Sequence, residues 1–191
     1  SKLSSLMLRN DTIPVEEKAV LEIVHACSEM SWSRTGALII FERKESLEDV
    51  IRTGTIVNAD VKDELVRNIF YEGAPLHDGA MIIRGGRVHA AGCVRPLSPN
   101  PDLAKELGTR HRAAVGMSEN ADSVSLVVSE ETGSISIAID GQLQRHLVPE
   151  QLDEILRTEL LVKEELEQQH EEMTVLAKIM DKIQGFGGKK R

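Results

Sequence analysis

Apolar residues recur at intervals of three and four from Val15 to about Ser31, and this spacing predicts a helix with one apolar face. The segment at 61–70 has the same helical spacing. Between these two, "GALIIFE" at 36–42 is an apolar run of strand length that is rich in β-branched residues. Helices and strands therefore alternate in the first part of the chain.

Paired strands are predicted twice farther along the chain. "GAMIIRGGRVHAAGCV" at 79–94 contains two apolar runs that meet at Gly85-Gly86, where a hairpin turn requires positive φ. "SVSLVVS" at 123–129 and "SISIAID" at 134–140 are joined by a short Glu-Glu-Thr-Gly turn. Hairpins interleaved with helices predict an α/β fold, a single globular domain with a central mixed β-sheet flanked by helices.

The composition changes after Pro149. Residues 150–184 contain neither Gly nor Pro and are rich in Glu, Leu, Lys and Gln, which predicts a long helix. Leu166, Met173 and Met180 are spaced by seven, but the polar stretch "KEELEQQHEE" interrupts the apolar stripe. A solvated or partner-docked extension is therefore favoured over a stable coiled coil. The predicted divisions are a linker at 1–14, a globular domain at 15–160, and a helical C-terminal extension with a frayed tail at 161–191.

Charge and composition exclude several classes of protein. The formal net charge of −8 argues against a nucleic-acid partner, because sequence-independent binding needs an excess of Lys and Arg. No apolar run approaches the ~20 residues of a membrane span, and the N-terminal residues do not resemble a signal peptide. Cys27 and Cys93 have no CxxC spacing, so we expect two buried, reduced thiols. The chain as given is expected to be soluble and cytoplasmic.

The stretch "GTRHR" concentrates positive charge at the start of a predicted helix. Thr109 is a good N-cap residue, so Arg110, His111 and Arg112 would lie in the first turn, where the helix dipole is already positive. Exposed backbone N–H groups and forked guanidinium donors at such a position are typical of a phosphate site. The alternative is that an arginine pairs with a nearby carboxylate. The candidates for that carboxylate are Glu119, Glu130 and Glu131.

Two further stretches carry groups that can act in chemistry. His77-Asp78-Gly79 follows a proline turn and precedes a strand, which brings an imidazole and a carboxylate to the edge of the sheet. Taken alone, it also fits an ordinary Asp-Gly turn with a surface histidine. "VSEETG" at 128–133 ends a strand with a hydroxyl and two carboxylates, and by itself it is mostly typical of a turn.

Together the three stretches favour phosphoryl or nucleotidyl transfer, which depends on positioning and charge neutralisation. They offer a carboxylate and an imidazole for a metal ion or a hydroxyl proton, and a positive helix end for phosphates. No Walker motif and no GxGxxG occurs, which disfavours P-loop enzymes, kinases and dinucleotide-binding enzymes.

Four segments resemble one known family. "TGALIIFER", "PLHDGAMII", "ELGTRHRAAVG" and "SVSLVVSEETGSISIA" are similar, in this order, to the diadenylate cyclase domain of bacterial enzymes that make cyclic di-AMP. The resemblance covers roughly residues 15–160. It is strongest to the cytoplasmic domain of the class that N-terminal transmembrane helices anchor in the cell membrane. Those helices would precede Ser1, and they would be the domain's only link to the membrane.

The resemblance implies roles for the residues around the Asp-Gly-Ala motif. Asp78 matches the acid that assists the ribose 3′-hydroxyl in its attack on the α-phosphate. Gly79 and Ala80 match positions that let the nucleotide approach. His77, Asp78 and Glu131 match positions that hold a divalent metal, Mn²⁺ or Mg²⁺.

The resemblance also implies where the rest of ATP would bind. Thr109, Arg110, His111 and Arg112 match the segment that holds the triphosphate, and the two arginines and His111 count with Asp78 and Gly79 as the catalytic set. The remaining positions that match ATP contacts are Ser129, Glu130 and Glu131 near the phosphates, and Val94 and Arg95 near the base. Close relatives usually carry an aromatic residue and a leucine at the latter pair.

The implied reaction converts two molecules of ATP into cyclic di-AMP and two pyrophosphates. Because one chain has one Asp-Gly-Ala segment and one Arg-His-Arg segment, a homodimer is needed to join two nucleotides symmetrically. A regulatory protein is a further expected partner. Two alternatives stay open, a nucleotide sensor without turnover and a metal-dependent phosphohydrolase, although the sequence has no ladder of His and Asp ligands for two metals.

Overall fold

The computed structural model describes residues 13–94 and 107–187. Most of the predicted linker at 1–14, the end of the predicted tail and Arg95 lie outside the described residues. The helices are α1 (Val15–Ser33), α2 (Glu48–Ile51), α3 (Asp63–Phe70), α4 (Thr109–Asn120), α5 (Pro149–Leu156) and α6 (Lys163–Gly187), with a π-helical segment (Arg157–Val162) between α5 and α6. The strands are β1 (Ala37–Glu42), β2 (Thr55–Asp60), β3 (Ala80–Arg84), β4 (Arg87–Cys93), β5 (Ser123–Val128), β6 (Ile135–Ile139) and β7 (Gln142–Leu147).

The described strands form one seven-stranded sheet in the order β2-β4-β3-β1-β5-β6-β7. β1 and β3 are parallel, with Ile40 opposite Ile82, and the other neighbouring pairs are antiparallel. The parallel pair needs a crossover, and α2, β2 and α3 lie between the two strands in the chain. The predicted α/β fold with a mixed sheet flanked by helices is confirmed.

Helices cover both faces of the sheet. On one face α1, α3 and α5 pack over a core that includes Ile23, Phe70 and Leu152. On the other face α4 and α2 pack over a second core that includes Leu38 and Val115. The central strands β1 and β5 are therefore buried on both faces along almost their whole length, which explains the continuous apolar run of β1. β5 buries Ser123 and Ser125 among its apolar residues.

The first helix begins and ends as its sequence dictates. Pro14 precedes it, and Glu16 and Glu17 lie in its first turn, where carboxylates interact favourably with the helix dipole. It ends at Arg34, which adopts left-handed backbone geometry with φ 53° and donates its N–H to the last-turn carbonyls. The helix predicted to about Ser31 is confirmed and is slightly longer.

Two edge strands were not predicted from the sequence. β2 has an exposed pattern in which no residue is fully buried, and only the last residue of β7, Leu147, is buried. Edge strands bury little apolar surface, so their sequences do not show the runs that identify central strands. β7 follows a turn at Asp140-Gly141, and this dipeptide was the available signal for a further hairpin.

The long helix predicted at 150–184 is interrupted. α5 and α6 are separated by the π-helical segment Arg157–Val162, in which Glu159 accepts hydrogen bonds from Arg43 and Lys163. The predicted domain boundary at 160 lies in this segment, and the domain boundaries stay predictions. Within the described chain, no helix combines the length and apolar character that crossing a bilayer requires.

The strand directions bring several chain segments to one end of the sheet. β1, β3 and β6 begin at this end, while β5 and β7 finish there. The segments that precede Ala37 and Ala80, the turn between Val128 and Ile135, and the last residues of β7 therefore lie side by side. We call this the open end of the sheet, and the candidate site lies here.

Candidate active site

A cavity of about 700 Å³ lies at the open end of the sheet. Its wall combines the end of α1 and the start of β1 with the segment before β3, the N-terminus of α4, and the turn between β5 and β6. The predicted site residues that it brings together are His77, Asp78, Thr109, Arg110, His111, Ser129, Glu130 and Glu131. These predicted site residues, up to 54 positions apart in the sequence, therefore share one surface.

The remaining predicted residues that the structure describes do not line this cavity. Gly79 and Ala80 are buried, Arg112 is half-buried, and Val94 is exposed. The backbone N–H of Val94 donates to Thr53 Oγ1 at 2.8 Å, which ties the end of β4 to the segment after α2. Arg95 lies outside the described residues, so the predicted base contacts stay predictions.

The geometry of His77 fixes which of its nitrogens can accept. Nδ1 lies 2.6 Å from the carbonyl oxygen of Ala74, and since a carbonyl only accepts, Nδ1 carries the proton. In the neutral ring Nε2 then has a free lone pair, and it lies 3.9 Å from Asp78 Oδ1. The Asp78 side chain is 92% exposed at the mouth of the cavity, while His77 is 26% exposed. The pair presents an imidazole nitrogen and a carboxylate to a ligand in the cavity.

Gly79 and Ala80 have a packing role in this structure. A Cβ on Gly79 would lie 2.2 Å from the carbonyl carbon of Gly92, so only glycine allows the chain to run this close to β4. Ala80 is fully buried at the start of β3. Their small size thus positions Asp78 at the beginning of the strand. Direct contact between these two residues and a nucleotide stays a prediction.

The N-terminus of α4 opens onto the cavity, with one correction to the predicted cap. Gly108, not Thr109, is the N-cap residue, and Thr109 is the first residue of the helix. Gly108, Thr109, Arg110 and His111 all line the cavity. The backbone N–H groups of the first turn have no acceptor within an α-helix, so they can bind an anion.

Arg110 makes the ion pair that the sequence left as an alternative. Its Nη1 lies 2.6 Å from Glu130 Oε2. The guanidinium lies directly over Gly36, because a Cβ there would be 2.5 Å from Nη1. Arg110 is only 14% exposed on its side chain, and Glu130 is 64% exposed. The pair fixes Arg110 on the cavity wall, and it distinguishes Glu130 from Glu131, whose carboxylate makes no ion pair among the described residues.

His111 and Arg112 are more enclosed than Arg110. His111 is buried with Nε2 at 3.3 Å from Ser136 Oγ. Burial lowers the pKa of His111, and the nearby charge of Arg145 lowers it further, so the ring is neutral at pH 7. The Nε of Arg112 is buried and has no hydrogen-bond partner within the described residues. His111 therefore contributes shape and hydrogen bonding to the site, but no positive charge.

The turn between β5 and β6 is held by its own hydroxyl groups. Ser129 Oγ accepts from the backbone N–H groups of Glu131 and Thr132, each at 3.3 Å. Ser31 donates to the carbonyl of Gly133 at 2.6 Å, which fastens the turn to the end of α1. This arrangement presents the Glu130 and Glu131 side chains at the rim of the cavity.

Three charged residues on the wall were missed by the sequence analysis. They are Arg34, Glu72 and Arg145. Arg145 could not be found because β7 itself was not predicted. Arg34 follows α1 in "SWSRTG", and nothing in that stretch indicates a site.

The described residues contain no group of three or more His, Cys, Asp or Glu side chains that could hold a metal ion. The predicted ligands His77, Asp78 and Glu131 do share the cavity wall. Cys27 and Cys93 are both free and buried, as expected, and burial raises the pKa of the Cys93 thiol to about 11.

Comparison with known proteins gives consistent matches. The family model DAC, described as DisA bacterial checkpoint controller nucleotide-binding, matches residues 24–143. Cyclic di-AMP synthase CdaA of Bacillus subtilis is 49% identical over 149 residues, which cover 76% of this chain and 55% of that protein. A diadenylate cyclase of Listeria monocytogenes is 46% identical over 147 residues, which cover 76% of this chain and 54% of that protein. The chain thus spans about half the length of these relatives.

Solved structures agree with the sequence matches. The crystal structure of a double mutant of DacA from Staphylococcus aureus has a TM-score of 0.74 at 44% identity, covering 76% of this chain and 97% of that one. A hypothetical membrane-spanning protein from Bacillus cereus has a TM-score of 0.64 at 45% identity, covering 66% of this chain and 62% of that one.

Proposed function

The chain belongs to the DAC family of DisA-type nucleotide-binding domains, and from this premise we propose that it is the catalytic domain of a diadenylate cyclase. The reaction condenses two ATP molecules into cyclic di-3′,5′-AMP and two pyrophosphates. The observation that carries the proposal is that His77-Asp78 and Thr109-Arg110, which lie within the matched residues, line one cavity.

Asp78 is the proposed proton acceptor. Its carboxylate is 92% exposed and points away from the core of its own chain, which suits a group that acts on a nucleotide shared with a second chain. In the proposed step Asp78 takes the proton of a ribose 3′-hydroxyl. The 3′-oxygen forms a bond to the α-phosphorus of the other ATP, and the bond from that phosphorus to pyrophosphate breaks.

The N-terminus of α4 and Arg110 are proposed to bind phosphate oxygens. The first-turn N–H groups supply fixed donors, and Arg110 adds a charge-assisted donor that is already held in place by Glu130. Thr109 and Ser129 supply hydroxyl groups on the same wall. His111, neutral and bonded to Ser136, keeps the first turn of α4 against β6.

A divalent cation, Mn²⁺ or Mg²⁺, fits the donors at His77 and Asp78. Nε2 of His77 is left free by the bond from Nδ1 to Ala74, and a carboxylate oxygen of Asp78 lies 3.9 Å away. Mg²⁺ is commonly held by one or two protein groups together with substrate phosphates, which agrees with the incomplete ligand set of one chain. Glu131 is the third proposed ligand. When bound, the cation neutralises charge that develops on the phosphate oxygens.

One chain offers one such cavity within its described residues, whereas the product joins two nucleotides symmetrically. The proposed catalytic unit is therefore a homodimer in which two cavities face each other about a twofold axis. In the whole protein we propose that N-terminal membrane helices anchor this domain on the cytoplasmic side. A regulatory protein is a further proposed partner.

A product assay tests this function. The chain is incubated with ATP and either Mn²⁺ or Mg²⁺, and the nucleotides are separated by chromatography. We expect cyclic di-AMP and pyrophosphate, a rate per chain that rises with protein concentration, and no product in the presence of a chelator. ATP that is bound but unchanged would indicate a sensor, and release of ADP or AMP would indicate a phosphohydrolase.

A further inference from the structure

The pairing of β6 with β7 contains an irregularity beside the cavity. Ile137 lies opposite Gln144 and Ile135 lies opposite Leu147, so one residue of β6 faces two residues of β7. This two-against-one arrangement is a β-bulge, which is frequent next to active sites because it redirects a side chain. The two residues of the bulge are Arg145 and His146, and His146 has a φ of 60°.

Both bulge residues face the open end of the sheet. His146 Nδ1 lies 3.0 Å from Ser134 Oγ, in the turn that forms the rim of the cavity. Arg145 lines the cavity, although the edge strand that carries it is largely exposed. The bulge therefore directs a guanidinium from the outermost strand toward the cavity.

Arg34 reaches the cavity from the end of α1 through an unusual backbone geometry. The non-glycine residues with positive φ in the described chain are Arg34, Asn58, Asp140 and His146. Asn, Asp and His are enriched in this conformation, whereas Arg is not, and glycine is the usual residue at such a helix end. The Arg34 side chain runs beside the β5–β6 turn, with Cγ 3.6 Å from the Cβ position of Gly133.

Among the described residues, the charges on the cavity wall include no ion-pair partner for these two arginines. The cavity is lined by four carboxylates, of Glu72, Asp78, Glu130 and Glu131, and by three guanidinium groups, of Arg34, Arg110 and Arg145. Arg110 is held by Glu130 at 2.6 Å. Neither Arg34 nor Arg145 makes an ion pair within the described ranges 13–94 and 107–187. They are the cations of the wall that remain available to an anionic ligand.

These two cations lie on the same wall as the groups proposed to bind phosphate, Thr109, Arg110 and Ser129. Asp78 precedes β3, and Arg145 lies two residues before the end of β7, which is four strands away in the sheet and roughly 19 Å at about 4.8 Å per strand. Val94 follows β4, which lies on the other side of β3. If the base lies toward β4 and the α-phosphate beside Asp78, the outer phosphates extend toward β7.

We propose that Arg145, together with Arg34, binds the β- and γ-phosphates of ATP, which are the phosphates that leave as pyrophosphate. This inference rests on the proposed function. Negative charge builds up on the leaving pyrophosphate as the bond to the α-phosphorus breaks, and guanidinium groups that already face this position stabilise it. Both arginines thus act on the leaving group, at a distance from the carboxylate that receives the proton.

The product provides the means to isolate this contact, because cyclic di-AMP has no β- or γ-phosphate. The experiment measures, by calorimetry with Mg²⁺, the affinity of the wild type and of Arg145→Ala for a non-hydrolysable ATP analogue and for cyclic di-AMP. We expect the analogue to bind the variant at least about tenfold more weakly, the loss of one charge-assisted contact. The affinity for cyclic di-AMP should stay within about twofold, since ordinary surface substitutions have effects of this size.

Two further variants make the result specific. Arg145→Lys keeps a charge and should recover part of the affinity for the ATP analogue, while Arg34→Ala should show the same selective loss as Arg145→Ala. Arg87→Ala is the matched control, because Arg87 lies at the opposite end of the sheet in an ion pair with Asp60. It should leave both affinities unchanged. Inhibition by added pyrophosphate should weaken in Arg145→Ala and not in the control.

The outcomes separate this inference from the function on which it rests. Unchanged affinity of Arg145→Ala for the ATP analogue, or an equal loss for the analogue and cyclic di-AMP, would overturn the assignment of the outer phosphates. In either case the function stands if the wild type binds both ligands and makes cyclic di-AMP. A wild type that binds neither nucleotide would overturn both.

Discussion

Each end of the sheet carries a cavity, and the two differ in how their charges are arranged. The cavity at the open end has a volume of about 700 Å³, and the one at the opposite end, which we call the closed end, about 660 Å³. Size therefore does not distinguish the two cavities, whereas the pairing of their charged side chains does. At the closed end Arg43 pairs with Asp122 at 2.6 Å and with Glu159 at 2.9 Å.

The two cavities also differ in whether their arginines are paired with carboxylates. At the closed end Arg84 makes two hydrogen bonds to Glu42, at 2.6 and 2.8 Å, and a third to Glu48 at 3.3 Å. At the open end Arg34 and Arg145 make no ion pair with any described residue. Charges that satisfy each other contribute to stability and leave little affinity for a ligand, whereas unsatisfied cations and an exposed carboxylate are suited to binding and catalysis. Substitutions at the two ends should accordingly have different effects.

The largest effect is expected for Asp78→Asn. The amide preserves the shape of the side chain but removes the proposed base and a proposed ligand for the cation, so synthesis of cyclic di-AMP should fall by at least about a hundredfold. Binding of a non-hydrolysable ATP analogue should be retained. The rate is measured by chromatography of the products, and binding by calorimetry.

Asp122→Asn is the matched control for this variant at the closed end. Asp122 pairs with Arg43, so loss of the Asp122 charge should lower the free energy of unfolding. The rate per folded chain should stay near that of the wild type. Turnover by Asp78→Asn comparable to that of the wild type would remove Asp78 from its proposed role.

The next effect is expected for Arg110→Ala. Phosphate contacts exist both before and during the reaction, so this variant should bind the ATP analogue about tenfold or more weakly and should also react more slowly. Glu130→Gln tests the ion pair separately, because it releases Arg110 without removing it, and it should weaken binding of the ATP analogue less than Arg110→Ala does. An unchanged dissociation constant in Arg110→Ala would mean that the arginine serves only to pair with Glu130.

The closed end should respond in stability instead of activity. Arg84→Ala leaves Glu42, whose side chain is only 10% exposed, without its main partner, and we expect a loss of about 2 to 3 kcal/mol in urea unfolding. Affinity for the ATP analogue should not change. Replacing both partners, as in Arg84→Met with Glu42→Leu, should recover most of the loss, because apolar pairs of similar volume often substitute for buried ion pairs. A double variant no more stable than Arg84→Ala would contradict this account.

The same pair predicts how stability depends on pH. Burial alone would raise the pKa of Glu42, but hydrogen bonds from Arg84 and from the backbone N–H of Leu47 outweigh it and lower the pKa below 4.5. Stability contributed by a carboxylate with a lowered pKa is present above the unfolded value and is lost as the pH falls through the folded value. Arg84→Ala should therefore flatten the acid side of the stability profile.

A second contrast, between the central strands and the edge strands, shows which parts of the fold are visible in the sequence. The strands β1, β3, β5 and β6 were predicted because burial on both faces favours segments in which apolar residues dominate. β7 was not, since most of its side chains are exposed at the edge of the sheet. The bulge that directs Arg145 arises from the pairing of two strands, and single-strand patterns do not report pairing irregularities.

The candidate site was predictable only in part for a similar reason. The motifs around Asp78 and Arg110 could be found because short runs of unusual residues stand out in the chain. The choice of Glu130 over Glu131 as the partner of Arg110 could not, because adjacent residues in a turn point in directions that only the fold decides. No motif lies beside Arg34 in the sequence. Its place in the site depends on a left-handed helix end, and an arginine at that position does not indicate such an end.

The smallest effect concerns His111, the buried histidine of the open end. Burial lowers the pKa of His111 below 6.5, and the charge of Arg145 lowers it further. A histidine with a lowered pKa leaves stability intact at high pH, and stability falls as the pH drops through the unfolded value of 6.5 toward the folded value, because the unfolded chain binds the proton more readily. Wild-type stability in urea should therefore decline between about pH 7.5 and pH 5.5.

Two variants attribute this decline to His111 and connect it to the comparison of the two ends. His111→Gln keeps a group that can bond to Ser136 Oγ but removes the titration, so its stability should change less over this range. Arg145→Ala removes the smaller of the two causes, so proton NMR should detect His111 titrating at a higher pH than in the wild type, but still below 6.5. Arg84→Ala at the closed end should leave that titration unchanged. A His111 titration that does not respond to Arg145→Ala would mean that Arg145 does not face the buried ring, and a decline that persists in His111→Gln would assign the pH dependence to another group.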